Sequence, residues 1–237
     1  MFIAAFIKTL VSITLVFTYL LTNILKKMQN IQNIIFDYGN VIFRIDFDRV
    51  QQSLKALGIP NVDEFYGHLQ QDPIFDAFDR GQITAAIFRD RIREKTGNPS
   101  LTDNEIDAAW NSILIGIPDG NHELLLKLKE KYRTFLLSNI NEIHYNFIME
   151  YLEKEFDFNN NDHLFEKVYY SHFTGMRKPE PAIFELLMRD NNLNPAETLF
   201  IDDSPQHLVT AKSLGIQTFL MTAPDTIQAF TKRENLV

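Results

Sequence analysis

Asp37 ends the apolar run Ile34-Ile35-Phe36, and Asp202 with Asp203 ends another, Leu199-Phe200-Ile201. A third run, Phe135-Leu136-Leu137, ends in Ser138-Asn139, and Lys178 sits in the turn-like stretch Gly-Met-Arg-Lys-Pro-Glu-Pro from Gly175 to Pro181. Carboxylates of this kind can ligate a hard divalent cation or serve as a nucleophile. A serine hydroxyl, an asparagine amide and a lysine ammonium are donors for an anionic group such as a phosphoryl. Taken singly, each has an ordinary reading. A strand-end Asp or Ser-Asn is usually a turn residue, Asp-Asp-Ser before a helix is a good N-cap, and a lysine before a proline is usually a solvated loop residue. Their shared position at the ends of apolar runs is what asks for chemistry.

Those residues need elements that deliver them to one edge. Apolar, strand-like runs fall at 33–39, 134–139, 165–172, 198–204 and 217–222, and helical patterns at 121–132, 181–192 and 206–215 separate several of them. Pro181 suits a first helical turn, and Gly215 stops the helix before it. This alternation predicts an α/β fold, a Rossmann-like parallel sheet with helices on both faces. In such sheets ligands bind beyond the carboxyl ends of the strands, where all the residues named so far would emerge. From about Asp48 to Gly116 no comparable strand occurs. Helices are expected over 49–58, 63–71, 83–97 and 102–114, with Thr102 as an N-cap and Gly58 and Gly97 as stops. The expected organisation is a core of 28–46 and 117–237 carrying a small helical cap, 47–116, inserted after the first strand.

The chain has 237 residues, 45% of them apolar, no cysteine, and a formal net charge of -8. Disulfides and thiolate metal sites are therefore excluded. No basic stripe is present to neutralise a phosphate backbone, which argues against a nucleic-acid partner. Residues 1–27 differ from the rest: between Phe2 and Leu25 the only charge is Lys8, and Lys26-Lys27 close the segment. It is long enough to span a bilayer, and the basic pair would leave the following domain in the cytoplasm. A start at Met28, directly before the first strand, is the equal alternative. A cytoplasmic location is expected either way, with membrane contact only through 1–27 and no oligomeric state legible.

The segments FDYGN, LLSN, GMRKPEP and FIDDS, in this order, resemble the four motifs of the haloacid dehalogenase-like hydrolase superfamily. The resemblance covers about Asn33 to Thr222. The longer stretches FDYGNVIFRIDF and GMRKPEPAIF are most similar to its sugar-phosphatase branch, which includes glucose-1-phosphate phosphatases. This implies a Mg²⁺-dependent phosphatase that works through a phosphoaspartate on a small phosphorylated substrate, such as a hexose 1-phosphate. Asp37 would be the nucleophile. Asp37, the Gly39 carbonyl and Asp203 would hold Mg²⁺, with Asp202 either a further ligand or the partner of a metal-bound water. Ser138, Asn139 and Lys178 would hold the phosphoryl group, and Arg177 would face either the site or solvent.

The sequence departs from that pattern at Gly39. Most phosphatases of the superfamily carry a second Asp two positions after the nucleophile, which protonates the leaving oxygen and later activates water. A good leaving group, a proton from the cap or substrate, or weak turnover would each account for the glycine. Two alternatives to the phosphatase stay open: a 2-haloacid dehalogenase-type hydrolase, disfavoured by Asp202-Asp203, and a weakly catalytic phosphosugar-binding or sensor domain. The six histidines, His68, His122, His144, His163, His172 and His207, show no metal-ligand spacing and are expected at the surface or in local hydrogen bonds. Phe65, Phe75, Phe78, Phe88 and Trp110 are expected as cap core, and Asp46 as a surface or capping residue.

Overall fold

The computed structural model describes residues 30–66 and 72–237. The apolar segment 1–27, the end of the helix expected over 63–71, and His68 lie outside the described residues. The described chain opens with β1 (Asn33–Phe36) and the short β2 (Arg44–Ile45). Five helices follow: α1 (Phe47–Ala56), α2 (Val62–Phe65), α3 (Pro73–Asp79), α4 (Ala85–Thr96) and α5 (Asp103–Asn111). The chain returns through β3 (Leu114–Gly116), α6 (Asn121–Lys131), β4 (Arg133–Ser138), α7 (Glu142–Phe156), β5 (Lys167–Tyr170) and α8 (Ser171–Thr174). It finishes with α9 (Pro181–Asp190), β6 (Thr198–Asp202), α10 (Pro205–Ser213), β7 (Gln217–Leu220) and α11 (Ile227–Arg233).

All residues of β1 are buried because the strand is central, paired in parallel with β4 on one side and β6 on the other. A strand covered on both faces by helices must be apolar throughout, which is why Ile34-Ile35-Phe36 shows no alternation. The sheet order is β5-β4-β1-β6-β7, all parallel, as expected for the α/β class. Phe36 is level with Leu136 of β4 and Ile201 of β6. That register sends Asp37, Ser138 and Asp202 out of the same edge. Ile35, Phe135, Leu137 and Phe200 pack under Ile183, Phe184 and Leu187 of α9.

The insert has its own apolar cluster, including Val50, Phe65, Phe75, Phe78, Phe88, Ile106 and Trp110. Its helix ends follow their local signals. Thr102 closes a capping box with Glu105, Gly97 takes a φ of 63° past α4, and Asp46 caps α1 by accepting from the Asp48 and Arg49 amides. Pro181 occupies the first turn of α9.

Several features differ from expectation. β2 and β3 form an antiparallel pair that ties the two ends of the insert together, and runs this short leave no periodic trace. The first strand stops at Phe36 rather than 39, since the chain turns at once. Helices α3, α7, α8 and α11 were not anticipated, and α8 takes Ser171 and His172 out of the strand expected over 165–172, although Asn141 caps α7 by accepting from the His144 amide. Among the described residues no helix is long and apolar enough to cross a membrane.

Candidate active site

After β1 the Asp37 amide donates to Ile201 O, which carries the ladder one residue past the strand. The amides of Ile42 and Phe43 then both donate to Tyr38 O, closing a tight loop over Gly39 and Asn40. Asn40 adopts a φ of 53°, a left-handed conformation that asparagine tolerates better than most residues. Its side chain donates to Asp203 Oδ2 at 2.9 Å and accepts from the Ile45 amide at 3.2 Å. Asn40 thereby links the turn, the acidic pair and β2.

Lys178 is 1% exposed and lies between two carboxylates, with Nζ 2.6 Å from Asp37 Oδ1 and 2.8 Å from Asp202 Oδ2. Asn139 holds it there, donating to Lys178 O and accepting from Lys178 N, both at 2.9 Å. That double contact leaves the Asn139 side chain one amide hydrogen for a ligand. Asp202 is fully buried, and its oxygens also accept from the Ser204 amide at 2.7 Å and face His207 Nδ1 at 2.9 Å.

Three carboxylates therefore surround one ammonium. Burial pushes Asp37 up to about 7; Lys178 pulls against that, and Asp202 and Asp203 add to it. Burial also raises Asp203. Burial would lift Asp202 as well, but Lys178 and His207 outweigh it and hold the group at about 2. The surplus negative charge fits a divalent cation. Asp37, Asp202 and Asp203 each place a carboxylate oxygen within 4.8 Å of the others, a set of hard oxygen donors suited to Mg²⁺.

Asp37, Gly39, Ser138, Asn139, Lys178 and Asp203 line one cavity of about 280 Å³. Its opposite wall comes from the insert and from α7. Tyr66, Phe75 and Trp110 give it an aromatic face, while Asp79, Asn141 and His144 give it a polar one. Phe75 and Trp110 thus serve both as insert core and as cavity wall, whereas Phe65, Phe78 and Phe88 belong to the insert cluster. Arg177 lines the cavity and points at α3, 2.9 Å from Asp76 and 3.5 Å from Asp79.

Of the histidines expected at the surface or in local hydrogen bonds, two line the cavity. His207 reaches the cavity and orients on Asp202. His144 is buried against Trp110, with ring centroids 4.8 Å apart, and burial alone drives its pKa down to about 3. Asn40, Asp79 and Asn141 are cavity-region residues that sequence reasoning passed over. Asn40 had a signal in its turn context and Asn141 in its capping position; Asp79 had none that separates it from other surface acids.

Comparison with known proteins gives the same picture. A family model for haloacid dehalogenase-like hydrolases matches residues 31–215. A D-ribitol-5-phosphate phosphatase of Bacteroides thetaiotaomicron is 33% identical over 193 residues, covering 80% of this chain and 91% of that protein. A solved haloacid dehalogenase-family enzyme from the same organism, in complex with magnesium, superposes with a TM-score of 0.79 at 39% identity, covering 86% of this chain and all of that one. A predicted family hydrolase from Porphyromonas gingivalis superposes with a TM-score of 0.77 at 29% identity, covering 86% and 98% of the two chains. The motif order, the parallel sheet with its acidic edge and these matches agree: the chain belongs to the haloacid dehalogenase-like hydrolases.

Proposed function

We propose that the protein is a Mg²⁺-dependent phosphatase that hydrolyses a small sugar or polyol phosphate through a phosphoaspartate on Asp37. The observation that carries this reading is Lys178, buried between Asp37 and Asp202 with Asp203 alongside, in the lining of one cavity.

Asp37 Oδ attacks phosphorus, the bond to the leaving oxygen breaks, and its electron pair stays on that oxygen. Lys178 places its charge against the equatorial oxygens and holds Asp37 in position, while Ser138 donates its hydroxyl to the same group. Asp37, Asp203 and the Gly39 carbonyl hold Mg²⁺, and Asp202 supports the arrangement through Lys178 and His207. The cation supplies charge neutralisation between the carboxylate and the anionic ester. Water then attacks the acyl phosphate, freeing phosphate and Asp37.

The substrate class follows from the cavity walls. Aromatic faces suit the C–H side of a carbohydrate chain, and Asp79, Asn141 and Arg177 suit its hydroxyls. The similarity to a phosphatase named for ribitol 5-phosphate supports a phosphosugar or polyol phosphate. A hexose 1-phosphate remains a narrower form of the proposal, resting on its better leaving group. The dehalogenase alternative leaves the acidic pair without a use.

The test is phosphate release from a panel of pentitol, pentose and hexose phosphates, with Mg²⁺ and with EDTA. Turnover that depends on Mg²⁺ and favours sugar or polyol esters is expected. Chloride release from 2-chloropropionate by metal-free protein, with no phosphate release, would overturn the proposal.

A further inference from the structure

Gly39 has no proton to give, and the structure leaves little room for an acid there. A Cβ at Gly39 would lie 3.2 Å from Ile45 Cδ1, so the apolar Ile45 fills the space into which a side chain at 39 would extend. The leaving oxygen must still be protonated if it is an ordinary alcohol. In-line displacement places that oxygen opposite the attacking Asp37, hence toward the wall built by the insert and α7. Of the three carboxylates that line the cavity among the described residues, Asp37 and Asp203 stand at the sheet edge and Asp79 on the insert.

We propose that Asp79, the last residue of α3, is the general acid and base of the reaction, in place of a carboxylate at position 39. This rests on the phosphatase reading of the same cavity. In the first half-reaction the P–O bond breaks as Asp37 attacks, and the departing oxygen takes the proton of the Asp79 carboxyl. In the second, the Asp79 carboxylate takes a proton from the water that attacks phosphorus. Phosphate leaves, and both Asp37 and protonated Asp79 are restored.

The surroundings of Asp79 suit the task. Asn141 Nδ2 donates to its Oδ1 at 3.2 Å, and Asn141 is itself fixed by Trp110 Nε1 at 3.2 Å. The Asp79 side chain is 20% exposed, and it lines the cavity. Burial raises its pKa, Arg177 and Asn141 pull against this, Asp76 adds to it, and Arg80 opposes it weakly, so the protonated form is favoured more than for a free aspartate. Tyr66 is the remaining titratable neighbour, its phenol pushed up by burial and by Asp79. Of the other cavity groups, His207 is committed through Nδ1 to Asp202 on the sheet edge. His144 Nδ1 faces Asn111 Oδ1 at 2.8 Å and so carries the ring proton there, leaving Nε2 bare in the neutral form. Lys178 is held charged by Asp37 and Asp202, and Arg177 is engaged by Asp76 and Asp79.

The place of Asp79 is also braced. Gly81 takes a φ of 64°, and a Cβ there would sit 2.2 Å from His172 O, so only glycine lets the end of α3 press against the core beside α8. Arg80 Nη1 reaches Glu180 at 3.0 Å across the same contact.

Single-turnover kinetics with the Mg²⁺-loaded enzyme in excess tests the proposal. Two esters are compared: p-nitrophenyl phosphate, whose phenolate leaves without a proton, and ribitol 5-phosphate, whose alkoxide does not. Asp79→Asn is expected to slow cleavage of ribitol 5-phosphate by about 10²- to 10⁴-fold, while p-nitrophenolate release stays within about tenfold of wild type. Asp79→Glu, which keeps an acid, should recover part of the alkyl-ester rate. Equal slowing on both esters, or no slowing on the alkyl ester, overturns the role. Asp37→Asn must abolish cleavage of both. Failure of the wild-type protein on both esters would instead overturn the phosphatase reading itself.

Discussion

A lysine that serves two buried carboxylates carries more than its own charge. Lys178 touches Asp37 and Asp202 at once, so replacing it with methionine leaves Asp37 buried without its ammonium and Asp202 with only the Ser204 amide and His207. Breaking a buried ion pair from one side typically costs about 3–5 kcal/mol. Lys178→Met should therefore lose stability of that order in urea unfolding without Mg²⁺, and Mg²⁺ should recover part of it; a loss under about 1 kcal/mol would contradict the account. The acids also set a pH dependence with opposite signs. Asp37 sits near 7 against an ordinary 3.8, so between those values the native state keeps a proton that the unfolded chain releases. Stability from this group is highest at low pH and falls as pH rises through 7. Asp202, near 2, stabilises above about 3.8 and loses that contribution as pH falls toward 2. Since a cation takes the place of the Asp37 proton, the Mg²⁺-induced rise in Tm should be larger at pH 8 than at pH 5. An equal rise at both would count against Asp37 as a ligand. The structure brings together Asp37, Ser138, Lys178 and the acidic pair, which drew notice in the sequence because all but Lys178 follow an apolar run and Lys178 sits in a motif that keeps their order. Asp79 and Asn141 were not legible, because what they touch is set by chain segments far away in sequence, and His207 was not placed at the cavity although its partner Asp202 is only five residues away.

At the scale of elements, local signals located what they govern. Thr102, Gly97 and Pro181 marked helix ends that the structure keeps, and continuous apolar runs marked the five parallel strands. The β2–β3 pair escaped because two- and three-residue strands are held by their partner rather than by their own pattern. Helix α7 escaped because its aromatic and β-branched content weakens the helical signal. The junction at Gly81 is where element placement meets chemistry. Gly81→Ala drives a methyl into His172 O and forces an alanine into a left-handed backbone, and about 1–3 kcal/mol of destabilisation is expected. Its alkyl-ester turnover should fall further than its p-nitrophenyl phosphate cleavage, since Asp79 moves with α3. Wild-type stability in this variant would show that the contact does not constrain the insert.

Across the molecule, residues Ile31–Val237 form one unit in which the sheet edge supplies nucleophile, cation ligands and ammonium, and the insert supplies the wall over them. This wall is held by buried contacts, Trp110 stacked on His144 and bonded to Asn141 with Ile143 in the insert's apolar cluster, and by partly exposed ion pairs, Arg80 with Glu180 and Arg177 with Asp76, each worth no more than about 1 kcal/mol. The strandless stretch after the first motif marked where an insert was expected, but not which of its faces lines the cavity, because helical periodicity fixes which side is apolar and not what that side covers.

The central claim is that Asp37 becomes phosphorylated. The most direct measurement is an acid quench of the Mg²⁺-loaded enzyme during turnover of a radiolabelled phosphate ester, followed by peptide mapping. The account predicts a hydroxylamine-labile label on the peptide containing Asp37, absent in Asp37→Asn. Turnover with no trapped label, or with label on another residue, would contradict it.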